Sequence, residues 1–545
     1  MSSINAGYEI KRSGTGTLTI GREIGYEKIN LEGLSFDKSP KSTKLLFINP
    51  PVEFKIFYPD DAMDLSDTKS SSPPIGILHL ASIAREYGYP VKLIDAHAEG
   101  MTVPNILSVI EDFDPDVVCL TAMTIMIDAS AEIAKAIKEH SPRIITMIGG
   151  VHLTAEPSKT LEEYPQFDFG VVGEGEVVLL DFLSHLEDKN WKEVQSLVWK
   201  NGDRVTINPR RSFYKDLDDF PFPAFDLVGD KLFSHYRLSV FGTKHFRSIG
   251  LVTSRGCSGM CTFCDLGVVG RGYRVMTAPY LINHLKELNS RYEVNDLLFY
   301  DDMFTGNKKR LMDFCNAMIE AGTPFTWSCC SRVDFVSYLD ILKLMKEAGC
   351  HTIEFGVESG CQRILDSMRK NVTKEKIAHV IDMATKAGIT TKANFILGHL
   401  GETHDSIEET IQFAKSLNVN YVQHTHLVPL PGSEIYEQAN KYGTFNPSWK
   451  SMNTLQINFI PRGFTREDLV KYSKKFWMSF YLRPRTIIQE IKRIKTVEDI
   501  QRLWLALKSF FKVTIKRGFG VRSKKETFAG TGHLRYLGAA TASSQ

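Results

Sequence analysis

The chain has 545 residues, 43% of them hydrophobic and 24% charged, and its formal net charge at pH 7 is +2. This length predicts two or three domains instead of one core, and a net charge so close to zero gives no general reason to expect nucleic-acid binding. The sequence contains no run of about twenty apolar residues, the length that is needed to cross a bilayer. Residues 1–20 also lack the apolar core of a signal peptide. We therefore expect a cytoplasmic protein whose cysteines serve as ligands or core residues and do not form disulfides.

Residues 1–42 are polar and rich in glycine and serine, which predicts a flexible N-terminal arm. A regular β-α alternation then occupies 43–192. Short apolar runs predict five buried strands, each followed by a helix, at 44–50, 91–97, 117–123, 143–150 and 167–176. This order predicts a doubly wound parallel sheet of the Rossmann type, which binds ligands at the carboxyl ends of its strands. Six residues at those ends are candidates for ligand contact: Asn49, Thr121, Gly149, Gly150, Gly173 and Glu174.

Residues 193–245 connect this unit to a second one, through a predicted β-hairpin at 196–209 and an acidic, proline-broken linker at 216–227. A second β-α series then occupies 246–445. It predicts six strands, at 248–253, 296–301, 324–331, 351–357, 391–397 and 419–426. Six β-α units suit a partial (β/α)6 barrel of the TIM type, whose chemistry lies at the carboxyl ends of the strands.

The remaining residues, 446–545, predict a helical and basic region. Its segment 483–525 holds thirteen Lys and Arg residues against three acids, so that segment alone carries about +10. Amphipathic helices of this charge can lie on anionic lipid, and peripheral membrane contact through 483–525 is therefore one hypothesis. A solvated basic face packed on the barrel is the alternative that we favour.

Three cysteines follow the first barrel strand, Cys257, Cys261 and Cys264, in C-x3-C-x2-C spacing. Three thiolates on one loop can hold three irons of a [4Fe–4S] cluster and leave the fourth iron open to a substrate. Gly256 and Gly259 would let the loop wrap closely around such a cluster. A zinc site is the alternative, but zinc sites usually have four ligands in two separated pairs, and no second pair has such a spacing.

This loop, with Phe263 before its last cysteine, resembles the hallmark of the radical S-adenosylmethionine (SAM) superfamily. The segments 300–302, 356–360 and 398–402, with the sequences YDD, GVESG and GHLGE, match further positions of that superfamily in the same order. The resemblance implies that the acidic pair lies near the SAM amino group, that the Glu-Ser pair meets the SAM ribose, and that the last segment forms a Gly-x-x-Gly-Glu turn. The implied cofactor-binding residues of the barrel are Phe263, Asp301, Asp302, Glu358, Ser359 and Gly398, with the three cysteines as metal ligands.

The sheet unit shows a second resemblance. Segments 73–76, 93–100, 149–157 and 171–176 resemble the cobalamin-binding domain of cobalamin-dependent radical SAM enzymes, as does the acidic linker. The resemblance implies cobalamin contacts at Asn49, Pro74, Thr121, Gly149, Gly150, Gly173 and Glu174. A sheet that binds nothing, with glycines that only form turns, is the alternative.

Two further observations concern the cobalt ligand and an alternative enzyme class. Asp95, His97 and Gly100 match an Asp-x-His-x-x-Gly signature whose histidine binds cobalt in other cobalamin proteins. Here the signature follows the second predicted strand instead of the first, so we do not expect His97 to bind cobalt. Methylthiotransferases also place an α/β domain before the barrel, but they need three further cysteines there, and this unit has only Cys119.

The resemblance implies a reaction. A reduced cluster cleaves SAM to a 5′-deoxyadenosyl radical, the radical removes hydrogen from an unactivated carbon, and methylcobalamin, renewed by a second SAM, donates a methyl group. The chain is thus expected to be a C-methyltransferase. The alternatives are a cyclase or rearrangement enzyme with the same cofactors, or a non-catalytic Fe–S or cobalamin-binding regulator. The expected partners are a small-molecule or lipid substrate and an electron donor such as flavodoxin or ferredoxin, with no nucleic acid.

Four other side chains are candidates for the barrel interior. Cys329 and Cys330, next to Arg332 at the end of the third barrel strand, could quench a substrate radical, but core packing is the favoured alternative. His424 and His426 share one face of the sixth strand by the period-two rule. They could bind substrate or donate protons, but a polar barrel lining without a catalytic role is the favoured alternative. Tyr421 and Gln423 fall on the opposite face.

Overall fold

The fold was determined as a computed structural model. The structure describes residues 30–31, 34–52, 55–57, 62–64, 72–229, 232–236, 238, 242–454, 456–494, 500–501 and 504. The predicted arm at 1–42 and the basic segment at 483–525 therefore lie largely outside the described residues. No described helix is long and apolar enough to cross a bilayer.

The first unit is built on the predicted parallel sheet. Its five parallel strands are β1 Leu45–Asn49, β2 Val91–Asp95, β3 Val117–Thr121, β4 Ile145–Gly149 and β5 Phe169–Val171. They lie in the order β2-β1-β3-β4-β5, so that the strand order reverses between β1 and β3. The nearly continuous burial of β1 and β3 is expected for strands that are covered on both faces.

Helices follow each of these strands and cover both faces of the sheet. They are α1 Ile75–Glu86, α2 Ala96–Glu99, α3 Val103–Phe113, α4 Ile127–His140, α5 Val151–Ala155, α6 Pro157–Glu163 and α7 Glu176–Ser184. One buried cluster, with Ile106 and Ile137, lies beneath α3 and α4. The opposite face, with Leu78 and Phe182, belongs to a larger buried cluster that continues into the second unit.

The predicted hairpin belongs to this sheet and does not form a separate connection. Its strands are β6 Leu197–Asn201 and β7 Arg204–Ile207, and β6 pairs antiparallel with β5. The sheet therefore has seven strands, in the order β7-β6-β5-β4-β3-β1-β2. The boundary predicted at 192/193 separates strands that are hydrogen-bonded to each other, because the hairpin covers the edge that β5 would otherwise expose.

The second unit is the predicted open barrel. Its strands are β8 Ser248–Leu251, β11 Asp296–Phe299, β12 Thr326–Ser331, β13 Cys350–Glu358, β14 Thr390–Leu397 and β15 Tyr421–His426. They pair in parallel and in chain order. Two short antiparallel strands, β9 Ser254–Arg255 and β10 Arg274–Val275, lie between β8 and β11.

The helices of the barrel lie outside the sheet, and several of them begin at side-chain caps such as Thr277 and Thr403. They are α9 Ala278–Tyr292, α10 Lys308–Glu320, α11 Leu339–Glu347, α12 Gln362–Ser367, α13 Lys374–Lys386, α14 His404–Ser416 and α15 Glu434–Tyr442, with a short α8 Leu232–His235 in the linker.

The C-terminal region is mixed where the structure describes it. A hairpin of β16 Gly443–Phe445 and β17 Phe459–Pro461 precedes α16 Arg466–Tyr481 and α17 Pro484–Arg493. Helix α16 packs Phe476 on Phe395 of β14, with ring centroids 5.3 Å apart. This helix therefore covers the outer face of the last two barrel strands.

Candidate active site between the two sets of strand ends

The three clustered cysteines lie on a loop, 256–273, that a short β-ladder closes at its base. Arg255 of β9 pairs with Arg274 of β10 on the rung next to the loop. Gly256 has a φ of +88°, and a Cβ at this position would lie 2.1 Å from the Gly272 carbonyl oxygen. The loop can therefore close only with glycine before the first cysteine.

The cysteine side chains differ in exposure and partners. Cys261 is buried, Cys257 is half-buried and Cys264 is exposed. Cys257 Sγ accepts a hydrogen bond from the Gly259 N–H at 3.4 Å, and Cys261 Sγ accepts one from Arg332 Nη1 at 3.3 Å. A hydrogen bond with Cys264, together with the charges of Lys370 and Arg332, lowers the pKa of the Cys261 thiol to about 6. This environment favours a thiolate, the form that binds metal.

The thiols do not form a closed metal site as they stand. Among the described residues, no set of three or more His, Cys, Asp or Glu side chains is close enough together to hold a metal ion. Cys257 Sγ lies 3.8 Å from Met303 Sδ. The donor set and the N–H donors nevertheless suit an iron–sulfur cluster, because thiolate sulfurs in such sites accept hydrogen bonds from nearby groups.

Phe263 packs the cysteine loop onto the barrel. Its ring is partly buried against two apolar groups, one containing Leu400 and Ile435, the other Cys361 and Ile364. The Thr262 N–H also donates to the Met368 carbonyl at 3.0 Å. These contacts hold the loop over the carboxyl ends of the fourth and fifth barrel strands.

The two predicted acids at the end of β11 differ in burial and in their hydrogen-bond partners. Asp301 is fully buried, and its carboxylate accepts hydrogen bonds from the Thr253 N–H at 2.9 Å and the Thr253 hydroxyl at 3.0 Å, as well as from the Ser254 hydroxyl. It is thus engaged by its own chain and positions the segment before the cysteines. Asp302 is exposed and lies beside the Gly256 N–H, where it can meet a ligand.

The two residues of the Glu-Ser pair at the end of β13 differ in the same way. Glu358 has a φ of +67°, which is rare for a residue with a side chain and is common at functional sites. Its carboxylate accepts a hydrogen bond from Lys370 Nζ at 2.7 Å, above Gly356. Ser359 instead points into the core, where its hydroxyl lies 3.1 Å from Thr410 Oγ1. The structure therefore gives Ser359 a packing partner and leaves Glu358 at the strand end.

The predicted turn after β14 encloses a buried acid. Glu402 accepts hydrogen bonds from the Gly398 N–H at 2.6 Å and the His399 N–H at 2.9 Å. Burial raises the pKa of Glu402 to about 7, and burial lowers the pKa of His399 to about 4. Gly398 has a φ of +82°, so the turn depends on glycine there.

Four strand ends lie side by side at the carboxyl edge of the first sheet, those of β1, β2, β3 and β4. Asn49 at the end of β1 donates a hydrogen bond to Asp95 Oδ1 at 2.8 Å, and Tyr236 of the linker donates to Asp95 Oδ2 at 2.8 Å. Gly150 has a φ of +100°, and a Cβ there would lie 2.8 Å from the Ala122 carbonyl and 3.0 Å from Thr121 Oγ1. A Cβ on Gly149 would meet nothing within 4 Å. This edge therefore presents bare backbone to open space.

The remaining residues expected at the cobalamin have varied surroundings. Pro74 precedes α1 and is partly exposed. Gly173 has a φ of +83° and lies against the Arg210 side chain. Glu174 departs from the expectation, because its carboxylate is held by Arg255 and Arg274 at the base of the cysteine loop. His97 Nδ1 accepts a hydrogen bond from the Val52 N–H at 3.3 Å, and the expectation that His97 does not bind cobalt stays a prediction.

The barrel interior differs from the sequence-based expectation. His424 and His426 lie on the buried outer face of β15: His424 packs on Phe476, and His426 lies 2.9 Å from the Ser473 hydroxyl of α16. They do not line the barrel, because the period-two rule groups residues without saying which face is inward. The inward face carries Tyr421, Gln423, Lys392 and Glu354, and the last two form an ion pair at 2.9 Å.

The adjacent cysteines of β12 face opposite ways. Cys329 is fully buried on the outer face. Cys330 pairs across the sheet with Glu354, and the pKa of its thiol is raised by burial and by the charge of Glu354. Of these two cysteines, Cys330 therefore lies on the inner face of the barrel, with the Lys392–Glu354 pair.

The sequence did not reveal the charged partners of the site. Arg255, Arg274, Arg332 and Lys370 each contact a predicted site residue, and Glu176 contacts Arg255. Arg255 and Arg332 stand beside conspicuous motifs, and that proximity was the only available signal. Their partners lie from 12 to 100 positions away, a separation that no local pattern reveals.

Comparison with known protein families agrees with this geometry. Residues 251–414 match the radical SAM superfamily, and residues 65–183 match the B12 binding domain. These ranges cover most of the barrel and most of the first sheet.

Individual relatives match about four fifths of this chain. An uncharacterised methyltransferase of Pyrococcus horikoshii is 33% identical over 456 residues, which are 83% of this chain and 95% of the relative. Cytidylyl-2-hydroxyethylphosphonate methyltransferase of Streptomyces wedmorensis is 25% identical and covers 81% of this chain and 90% of its own. Anaerobic magnesium-protoporphyrin IX monomethyl ester cyclase of Cereibacter sphaeroides is 26% identical and covers 77% and 68%.

Solved structures share the two-unit fold. The cobalamin-dependent SAM radical enzyme OxsB, with aqua-cobalamin and SAM bound, superimposes with a TM-score of 0.67 at 17% identity over 87% of this chain and 71% of its own. The radical SAM methyltransferase TsrM from Kitasatospora setae, with cobalamin and a [4Fe–4S] cluster bound, gives 0.58 at 15% identity over 75% and 76%.

Proposed function

The chain belongs to the cobalamin-dependent radical SAM enzymes, with a [4Fe–4S] cluster, SAM and cobalamin as cofactors, and on that premise we propose that it is a C-methyltransferase acting at an unactivated carbon. One observation carries the proposal. The carboxyl edge of the first sheet lies against the cysteine loop of the barrel, where Glu174 contacts both Arg255 and Arg274. A cobalamin on that edge would face the ligand site of the barrel.

The residues present fit the three groups. Cys257, Cys261 and Cys264 would bind the cluster, with Phe263 packing their loop on the barrel. Asp302, Glu358 and the backbone at Gly398 would hold SAM, whereas Asp301 and Ser359 would position those segments. The cobalamin would lie on the open backbone of the first sheet, against these residues: Asn49, Pro74, Thr121, Gly149, Gly150 and Gly173.

The bound groups supply reductive SAM cleavage and a transferable methyl group, so the chain has to position them and exclude water. Arg332 and Lys370 place positive charge beside Cys261 and favour its thiolate. Glu358 is held by Lys370 in an extreme backbone conformation that the surrounding strands maintain. Gly149 and Gly150 allow a large ligand to approach the backbone without side chains between them.

The first test compares cofactor content in the full-length protein and in a variant with Cys257, Cys261 and Cys264 all changed to Ala. After anaerobic reconstitution with iron, sulfide and hydroxocobalamin, we expect about four irons per wild-type chain. The variant should lose the iron and keep the cobalamin, because the two sites lie on different units. Equal iron in both proteins would contradict the cluster assignment, and failure to retain hydroxocobalamin would remove the methyl carrier.

The second test asks for methyl transfer without knowledge of the substrate. Reconstituted protein is incubated with SAM and a strong reductant, with and without hydroxocobalamin, and the SAM products are quantified. A methyltransferase should release S-adenosylhomocysteine only when cobalamin is present, and 5′-deoxyadenosine only when the cluster is present. The triple cysteine variant is the control for the second product.

A cyclase or rearrangement enzyme is the second candidate, and the similarity to the cyclase of Cereibacter sphaeroides supports it. Its identity to this chain is comparable to that of the phosphonate methyltransferase, so identity alone does not separate the two reactions. An enzyme of this kind should form 5′-deoxyadenosine without cobalamin-dependent S-adenosylhomocysteine. That product pattern would replace methylation with cyclisation or rearrangement. A non-catalytic regulator would form neither product.

The proposed partners follow from the same chemistry. The substrate would be a small molecule or lipid that reaches the barrel mouth, and a flavodoxin or ferredoxin would reduce the cluster. We propose a cytoplasmic location, with membrane contact through 483–525 as the less favoured alternative.

A further inference from the structure

The base of the cysteine loop carries two arginines side by side. Arg255 ends β9 immediately before Gly256 and Cys257, and Arg274 begins β10 at the other end of the loop. The two residues are direct partners in the β9–β10 ladder. Their side chains therefore leave the loop at the same level, and whatever holds both of them fixes both ends of the loop.

Two acids from the first unit hold these arginines. Glu174 Oε1 lies 3.2 Å from Arg255 Nη1 and 2.7 Å from Arg274 Nη2, and its Oε2 accepts from Arg274 Nη1 at 2.8 Å. Glu176 Oε1 lies 2.5 Å from Arg255 Nη2. Both acids follow β5 at the carboxyl edge of the first sheet, next to Gly173. One carboxylate thus joins the two ends of the cysteine loop to the proposed cobalamin edge.

The four side chains form a buried and neutral group, which we call the interunit ion-pair network: Glu174, Glu176, Arg255 and Arg274. Each side chain is only 8% to 11% exposed. Two positive and two negative charges balance, and the bidentate pair between Glu174 and Arg274 gives a defined geometry. A buried charge that loses its partner is strongly unfavourable, so the members have to remain together.

The network also reaches the interior of the loop. Arg274 Nη2 donates to the Val269 carbonyl of the loop at 2.8 Å, and Arg274 Nη1 donates to the Tyr214 carbonyl of the linker at 2.9 Å. Arg210 of the linker donates to the Gly267 carbonyl. The conformation of the loop is therefore tied to the position of β5 by hydrogen bonds as well as by charge.

We propose that Glu174 and Arg274 are positioning residues that couple the cobalamin edge of the first sheet to the cysteine loop, so that filling one site orders the other. The inference deepens the proposed function and rests on its assignment of cobalamin to that edge. Coupling between two sites is reciprocal. Bound hydroxocobalamin should accordingly slow the alkylation of the thiols in the cysteine loop even when no cluster is present.

The experiment uses full-length, cluster-free protein and measures thiol alkylation by peptide mass spectrometry. The rates at Cys257 and Cys264, which are half-buried and exposed, are compared with and without saturating hydroxocobalamin. In the wild-type protein we expect hydroxocobalamin to slow both rates about fivefold or more, the lower range of typical allosteric coupling. In Glu174→Gln the protection should fall below about twofold although hydroxocobalamin still binds.

A matched control separates this effect from the loss of any carboxylate. Glu408→Gln removes an equivalent charge from a partly exposed pair with Lys475 that joins α14 to α16, and it should retain full protection. Circular dichroism should show both variants folded. If Glu174→Gln does not fold, the double variant Glu174→Gln/Arg274→Gln removes both charges together and decides the question in the same way.

The outcomes are distinct. Undiminished protection in the Glu174 variants would mean that cobalamin shields the thiols directly, and it would overturn the coupling while leaving the proposed function intact. A wild-type protein that does not bind hydroxocobalamin would overturn both. Protection that is lost in Glu174→Gln and kept in Glu408→Gln would establish the coupling.

Discussion

At the scale of single residues, the acidic side chains of the site differ in their exposure and in their hydrogen-bond or ion-pair partners. Asp301 and Asp302 are neighbours in sequence, yet the first is buried among hydroxyl and amide donors and the second is exposed beside the cysteine loop. Glu174 is engaged by two arginines, whereas Glu358 is held by Lys370. Carboxylate side chains therefore supply a positioning group, an interunit contact and candidate ligand-binding groups.

The contact between Arg332 and Cys261 predicts a change in cluster potential. Arg332→Gln removes a positive charge and an N–H donor at 3.3 Å from Cys261 Sγ. Both favour the reduced, more negative cluster, so the variant should have a potential lower by about 60 mV, the one-electron equivalent of a tenfold change. A redox titration followed by electron paramagnetic resonance measures it. Arg369→Gln, which removes an exposed arginine paired with Glu434, is the control; an unchanged Arg332→Gln potential would exclude this role.

The buried Glu402 predicts a pH-dependent stability. Its folded-state pKa of about 7 exceeds the ordinary value of 4.5, so the folded protein holds a proton that the unfolded chain releases, and this group makes stability fall as pH rises between those values. Glu402→Gln should remove this loss, which is on the order of 3 kcal/mol. Its melting temperature relative to wild type should therefore rise between pH 4.5 and pH 8. A difference that does not vary with pH would contradict the buried acid.

At the scale of elements, the end of a strand can hold both a residue that the following turn requires and a residue that leaves space for a ligand. Gly150 is needed by the turn, because its φ is positive and a side chain would strike the Ala122 carbonyl. Gly149, one position earlier, has neither constraint. Two adjacent glycines after one strand therefore have separable roles, one in folding and one in ligand access.

This difference predicts opposite effects of the same substitution. Gly150→Ala should destabilise the first unit by about 2 kcal/mol, because of the backbone strain and the close contact. Gly149→Ala should leave the melting temperature unchanged and weaken hydroxocobalamin binding, because its methyl group enters the open space above the strand. Thermal melts and equilibrium titration measure the two effects. A Gly149→Ala protein that binds hydroxocobalamin normally would place the ligand elsewhere.

At the scale of the whole molecule, the two units share one buried hydrophobic cluster, and the linker makes hydrogen bonds to the first unit. Ser82 of α1 donates to the Phe222 carbonyl at 2.7 Å, and Tyr236 reaches Asp95 on the first sheet. The C-terminal region also returns to the first unit, where Trp449 packs its ring edge-to-face on His152 with centroids 4.9 Å apart. The facing strand ends are thus held from several sides.

The described part of the basic segment predicts little affinity for membranes. Arg483 donates to the Lys415 carbonyl at 2.5 Å, Arg485 contacts Asn418, and Glu490 accepts from the Tyr421 hydroxyl at 2.9 Å. These charged groups are directed at the barrel, so we expect no flotation of the protein with anionic vesicles at low salt. Salt-sensitive flotation with anionic but not neutral vesicles would instead support the lipid hypothesis.

The sequence by itself determined the succession of strands and helices along the chain, the two kinds of sheet and the cysteine motif, because these depend on local periodicity and on ligand spacing within a few residues. The cofactor class followed from the resemblance of its motifs to known families. Only the tertiary structure decided that the hairpin extends the first sheet, that His424 and His426 face α16, and that Glu174 joins the cysteine loop. The reason is physical: an acid at a strand end can bind a ligand or pair with an arginine a hundred positions away, and packing of the two units brings that arginine within reach.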